Sequence, residues 1–103
     1  MPTAAMRRTG RNLRYQLTLA LHATGRPLTL ADLQASLDRA GGATPVPSTK
    51  AISDALRWEI GRGRVVRVGR GRYAAGSMPP STQRWMQAFM AAERARAIAH
   101  PLS

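Results

Sequence analysis

The side chains able to do chemistry are few in kind. His22 and His100 stand alone, without a carboxylate at useful spacing, and the chain has no cysteine. No metal-ligand cluster and no nucleophile–base set can be assembled from them, so no catalytic residue, metal or cofactor is expected. The glycines of residues 61–71 are not followed by the Gly-Lys-Ser/Thr of a nucleotide loop. What remains is arginine. Fifteen arginines and one lysine give the 103-residue chain a net charge of +11 and a pI near 11.9. Guanidinium groups hold phosphates and base edges, and a field of this sign attracts polyanions. Binding is therefore expected rather than catalysis: nucleic acid is the common partner of such a field and an anionic membrane or an acidic protein the rarer one, with no small-molecule substrate.

The charge is unevenly placed. Residues 1–14 carry +4 and residues 62–73 carry +5, whereas residues 48–61 are neutral. No apolar run approaches the length of a membrane span, and none follows Arg7 and Arg8 as a secretory signal would require. With no disulfide framework to build, the chain is expected in the cytoplasm, on the nucleoid, and away from membranes.

The elements that must position these cations follow from periodicity. Residues 1–11 read as a flexible basic arm bearing Arg7, Arg8 and Arg11. Leu13, Leu17 and Leu21 predict a helix over 12–24, stopped by Gly25 and Pro27. Leu28 fits a short extended piece. Thr29 then caps a second helix striped by Leu30, Leu33 and Leu37, with Asp32 placed as in a capping box and Gly41-Gly42 as its stop. Residues 43–47 (ATPVP) form a turn. Ser48 caps a third helix over 49–61, with Ile52, Ala55, Leu56 and Ile60 inward. Glu59 falls on that apolar side and needs a partner, such as Arg14, or a place at the core's edge. Trp58 lies at the border of the face, where core packing or contact with the last helix is expected, and His22 is expected on a helix surface.

Residues 62–73, RGRVVRVGRGRY, alternate valine and arginine around glycines. A hairpin turning on Gly69-Arg70 would set Val68 opposite Gly71, Arg67 opposite Arg72 and Val66 opposite Tyr73. Val66, Val68 and Tyr73 would then share an inner face, and Arg67 and Arg72 an outer one. Arg67 and Arg72 would meet as like charges, a conflict that an anion relieves. A four-residue loop over 69–72 keeps the same inner face. A disordered arginine–glycine tract has no reason to alternate in this way. Residues 77–81 read as a linker, residues 82–99 as an amphipathic helix and 100–103 as a tail. Trp85, Met86, Phe89 and Met90 form that helix's stripe, which must cover either its own domain or a second copy. A homodimer through this helix is favoured.

Three helices followed by a two-stranded hairpin resemble the winged helix-turn-helix arrangement over residues 12–76. The resemblance is nearest to the HARE-HTH variant, carried by GRPL (25–28), TP (44–45) and RVGRGRY (67–73). The expected fold is mainly α with a small β-hairpin, plus an additional C-terminal helix.

The resemblance implies a DNA-binding or chromatin-associated protein, here a transcriptional regulator or nucleoid-associated protein of modest sequence specificity. It places helix 48–61 in the major groove, offering Ser48, Thr49, Lys50, Ser53 and Arg57. The wing, with Arg62, Arg64, Arg67, Arg70 and Arg72, then lies on the backbone or minor groove, and the arm cations can track a minor groove. Arg57 suits a bidentate bond to guanine, and Asp54 either orients Lys50 and Arg57 or accepts from cytosine. Alternatives are a protein-interaction adaptor, since the family includes protein binders, and an RNA binder.

Overall fold

The computed structural model describes residues 10–40 and 45–99. Among them are four helices and one three-stranded antiparallel sheet, in the chain order α1 (Gly10–Thr24), β1 (Leu28–Thr29), α2 (Leu30–Arg39), α3 (Thr49–Gly61), β2 (Val65–Gly69), β3 (Arg72–Ala75) and α4 (Pro80–Ala99).

Helix α1 starts at Gly10, so Arg11, expected in the arm, belongs to its first turn. Arg7 and Arg8 lie outside the described residues, as do the Gly41-Gly42 stop and the first half of the 43–47 turn. Gly25 takes a left-handed φ of 71° and donates its N–H to the Leu21 carbonyl at 3.1 Å, which ends α1. Thr29 Oγ1 accepts from Asp32 N–H, and an Asp32 carboxylate oxygen accepts from Thr29 N–H, each at 3.0 Å. This is the expected capping box, with aspartate in the glutamate position. Helix α3 runs over the expected residues, and Ser48 Oγ accepts from Ala51 N–H at 3.1 Å.

One core joins these elements. Leu13, Leu17 and Leu21 of α1 meet Leu33 and Leu37 of α2, Ile52 and Leu56 of α3, and Leu28, Val65 and Tyr73 from the three strands. Full burial of each such side chain favours folding by about 1.5–3 kcal/mol.

Helix α4 begins at Pro80, two residues earlier than expected, since proline fits a first helical turn. The expectation that its stripe seals a dimer is corrected for Met86 and Met90, which are buried within the chain itself against Tyr15 of α1. Tyr15 also meets Trp85 and Phe89 edge-on, with centroids 5.5 and 5.2 Å away.

The hairpin forms, but in another register. The sheet order is β1-β3-β2, with Leu28 opposite Tyr73 and Thr29 opposite Arg72. In the hairpin Val65 faces Ala75, Val66 faces Ala74, Arg67 faces Tyr73 and Gly69 faces Arg72. The turn residues are Arg70 and Gly71, and only Gly71 takes positive φ, at 66°. Such a turn does not match the strand twist that primed turns match. A bulge between Arg67 and Gly69 accompanies it and adds one residue to β2. A one-residue slip reverses every face. Val65 and Tyr73 therefore point inward, while Val66 and Val68 are 40% and 53% exposed. The expected inner face of Val66, Val68 and Tyr73 is corrected accordingly, and so is the Arg67–Arg72 opposition.

Candidate nucleic-acid interface

The exposed face of α3 begins at its capped N-terminus. Ser48 is committed as the cap, and Thr49 and Lys50 are open to solvent. Asp54 stands between the two cations of this face. Its carboxylate lies 3.1 Å from Lys50 Nζ and 3.7 Å from Arg57 Nη2, all three groups being largely exposed. Exposed pairs of this kind contribute little to stability, but they hold the two side chains along one line.

The corrected register brings Arg67 to this helix. Strand β2 carries it on the same side of the sheet as Tyr73, and a groove of about 320 Å³ opens between α3 and the hairpin. Ser53, Arg57 and Ile60 line one wall, and Arg67 and Tyr73 the other. Arg67 Nε also donates to the Gly69 carbonyl at 3.3 Å, across the bulge. Two guanidiniums facing one groove can take an anion in bidentate fashion. Arg70 and Arg72 are exposed at the hairpin tip.

Arg64 does not join them, and its expected place among the DNA-binding residues is corrected. Its Nε and Nη2 donate to the two carboxylate oxygens of Glu59 at 2.8 and 2.9 Å. Its side chain is only 14% exposed. The hydrogen bonds to Glu59 raise its pKa above the ordinary arginine value. Glu59 sits fully inside rather than at the core's edge, and it also accepts from Thr18 Oγ1 at 2.9 Å. Arg14, the partner expected for it, stands farther off, its buried Nε 3.6 Å from the carboxylate and without a hydrogen bond. The Arg64 carbonyl accepts from Gly76 N–H and from His22 Nε2, each at 2.9 Å. His22 is thus a half-buried tie to the hairpin root rather than a surface residue. The signal for this network was Thr18, a polar residue next to Leu17 on the buried side of α1.

Three arginines lie over aromatic rings. Arg62 and Arg14 stand 5.2 and 4.8 Å from the Trp58 centroid, and Arg11 5.2 Å from that of Phe89. Trp58, expected to pack on the core or the last helix, is 52% exposed and belongs to neither apolar cluster.

Among the described residues no group of histidine, cysteine, aspartate and glutamate could hold a metal ion, and no helix is long and apolar enough to cross a membrane. The geometry defines a mainly helical protein with a small antiparallel sheet and a cationic groove between its third helix and its hairpin. In comparisons with known proteins, no family model, curated protein or solved structure matches the chain.

Proposed function

We propose that this chain is a winged helix-turn-helix DNA-binding protein, regulatory or nucleoid-associated, with α3 entering the major groove and the hairpin acting as a wing on the backbone or minor groove. The observation that carries this reading is the groove in which Arg57 of α3 faces Arg67 of β2. A duplex lying on α3 would bring a backbone phosphate to it, and Arg70 and Arg72 extend the same cationic surface to the hairpin tip. The order of three helices and a hairpin, with β1 completing the sheet, supports the same reading. Because Asp54 offsets one of the two cations on the exposed face of α3, attraction comes chiefly from the hairpin. Contacts of that kind position DNA more than they read it, so sequence preference is modest and rests on Arg57.

Lys50, Arg57, Arg62, Arg67, Arg70 and Arg72 offer about six phosphate contacts, so log K falls with log salt at a slope near about −5. Titration of a labelled duplex between about 50 and 200 mM salt measures this. A flat response would end the proposal. Structured RNA competing as well as duplex DNA would move the function to RNA.

A further inference from the structure

Helix α3 has a second flank, turned toward α1 and away from the Arg57–Arg67 groove. Here a concavity of about 350 Å³ opens beside the indole of Trp58. Its floor is apolar, made by Leu13 of α1 and by Ala51 and Ala55 of α3. The small alanines create the depression, and Trp58, half exposed, forms one wall. Arg14 and Asp54 stand at the rim, with Arg62 over the ring from the far end of α3. A solvent-facing tryptophan beside an apolar hollow, with arginines around it, is the composition of an interaction hot spot.

Arg14 and Arg62 together outweigh Asp54 around the hollow, and two classes of occupant suit that positive surplus, an unpaired nucleobase and an acidic protein segment. The ring geometry separates them. Stacking uses the face of the indole, and two guanidinium groups already lie over that ring at 4.8 and 5.2 Å. Arg14 is held in place by its ion pair with buried Glu59, so it does not swing aside freely. A base stacking on a ring face so covered would have to displace a guanidinium. An aliphatic or aromatic side chain entering the hollow edge-on displaces nothing, and flanking carboxylates meet Arg14 and Arg62. A second copy of this chain is a poor match, since a surface of net charge +11 repels its like.

We infer that the Trp58 hollow is a docking site for an acidic segment of a partner protein, anchored by one apolar side chain and flanked by carboxylates. The hollow shares no lining residue with the Arg57–Arg67 groove, although Arg62 also counts among the proposed phosphate contacts, and its test does not depend on DNA binding. The probe is a fluorescein-labelled helical peptide with a central phenylalanine and glutamates on either side, titrated by anisotropy. A control peptide carries serine in place of the phenylalanine. Trp58→Ala, and Ala51→Leu, which fills the hollow with a good helix former, should each weaken the phenylalanine peptide by about tenfold or more. Trp85→Ala, which removes an equally exposed tryptophan from α4, should leave it unchanged. Thermal melts of each variant show that the fold persists. Equal binding of the phenylalanine and serine peptides, or no loss in Trp58→Ala, would reduce the interaction to charge attraction and overturn the inference. Loss of single-stranded oligothymidylate binding in Trp58→Ala, with peptide binding intact, would assign the site to a base and overturn it equally.

Discussion

Arg64 of the hairpin root forks onto Glu59 of α3, Nε to one carboxylate oxygen at 2.8 Å and Nη2 to the other at 2.9 Å. This bond ties the angle between α3 and the hairpin to a buried charge. Removing the carboxylate leaves two largely buried guanidiniums, those of Arg64 and Arg14, without a counter-charge. Glu59→Gln is expected to lose about 3–5 kcal/mol in urea unfolding. Glu59→Met combined with Arg64→Leu and Thr18→Val should recover part of it, because apolar groups of similar volume need no partner and only Arg14 is then left without a counter-charge. A triple variant as unstable as Glu59→Gln would attribute the loss to packing.

The proposed DNA surface separates cations by position. Arg67→Ala, Arg70→Ala and Arg72→Ala should each weaken binding to all duplexes alike and make the salt slope shallower by about 0.9. Arg57→Ala should in addition relax preference at one base position. Arg94→Ala, on α4, should change neither. A native slope in Arg67→Ala would remove the groove from the interface.

The capping box sets a pH dependence. Hydrogen bonds from Thr29, backbone first and side chain second, lower the Asp32 pKa below its ordinary 3.8. A depressed carboxylate stabilises the fold above its unfolded pKa, and that contribution is lost as pH falls through the folded value. The melting temperature should therefore drop more steeply on acidification below about pH 5 in the native chain than in Asp32→Asn. Parallel curves would show that the Asp32 charge contributes nothing. Thr29→Ala removes the cap hydroxyl and should cost about 1 kcal/mol at neutral pH.

Gly76 closes the hairpin where no side chain fits. A Cβ there would collide with the Gly63 carbonyl oxygen and lie 3.0 Å from the Arg64 carbonyl carbon and 3.1 Å from Val65 N. These are backbone atoms that cannot turn aside. Gly76→Ala should cost about 1–3 kcal/mol, whereas Gly61→Ala, which meets open space, should be tolerated. Equal melting temperatures for the two variants would refute the clash.

The helices and their caps were legible because their signals are local. Ser48, Thr29 and the leucine spacings each act within a few residues, and α3 spans the residues its pattern predicts. The hairpin's existence was legible for the same reason, but its faces were not. A bulge at one position reverses them, and valine and arginine alternate well enough to fit either register. Arg64 was hidden among five arginines of identical local character. Only the packing of Thr18, Glu59 and His22 around it, contributed by α1 and α3, distinguishes it from its neighbours. The polarity of Glu59 on an apolar face announced a partner without naming it.

The two-residue strand β1 also joins segments far apart in sequence. The β2–β3 hairpin closes between neighbours in sequence, a step of microseconds. Leu28 and Thr29 pair instead with Tyr73 and Arg72, far along the chain. The Gly71 carbonyl, fixed by the turn, then receives the N–H of Leu30 at 3.2 Å, the first residue of α2. The start of α2 is thus tied to the hairpin tip, and mutations at the tip should loosen the capped end of a helix far from them in sequence.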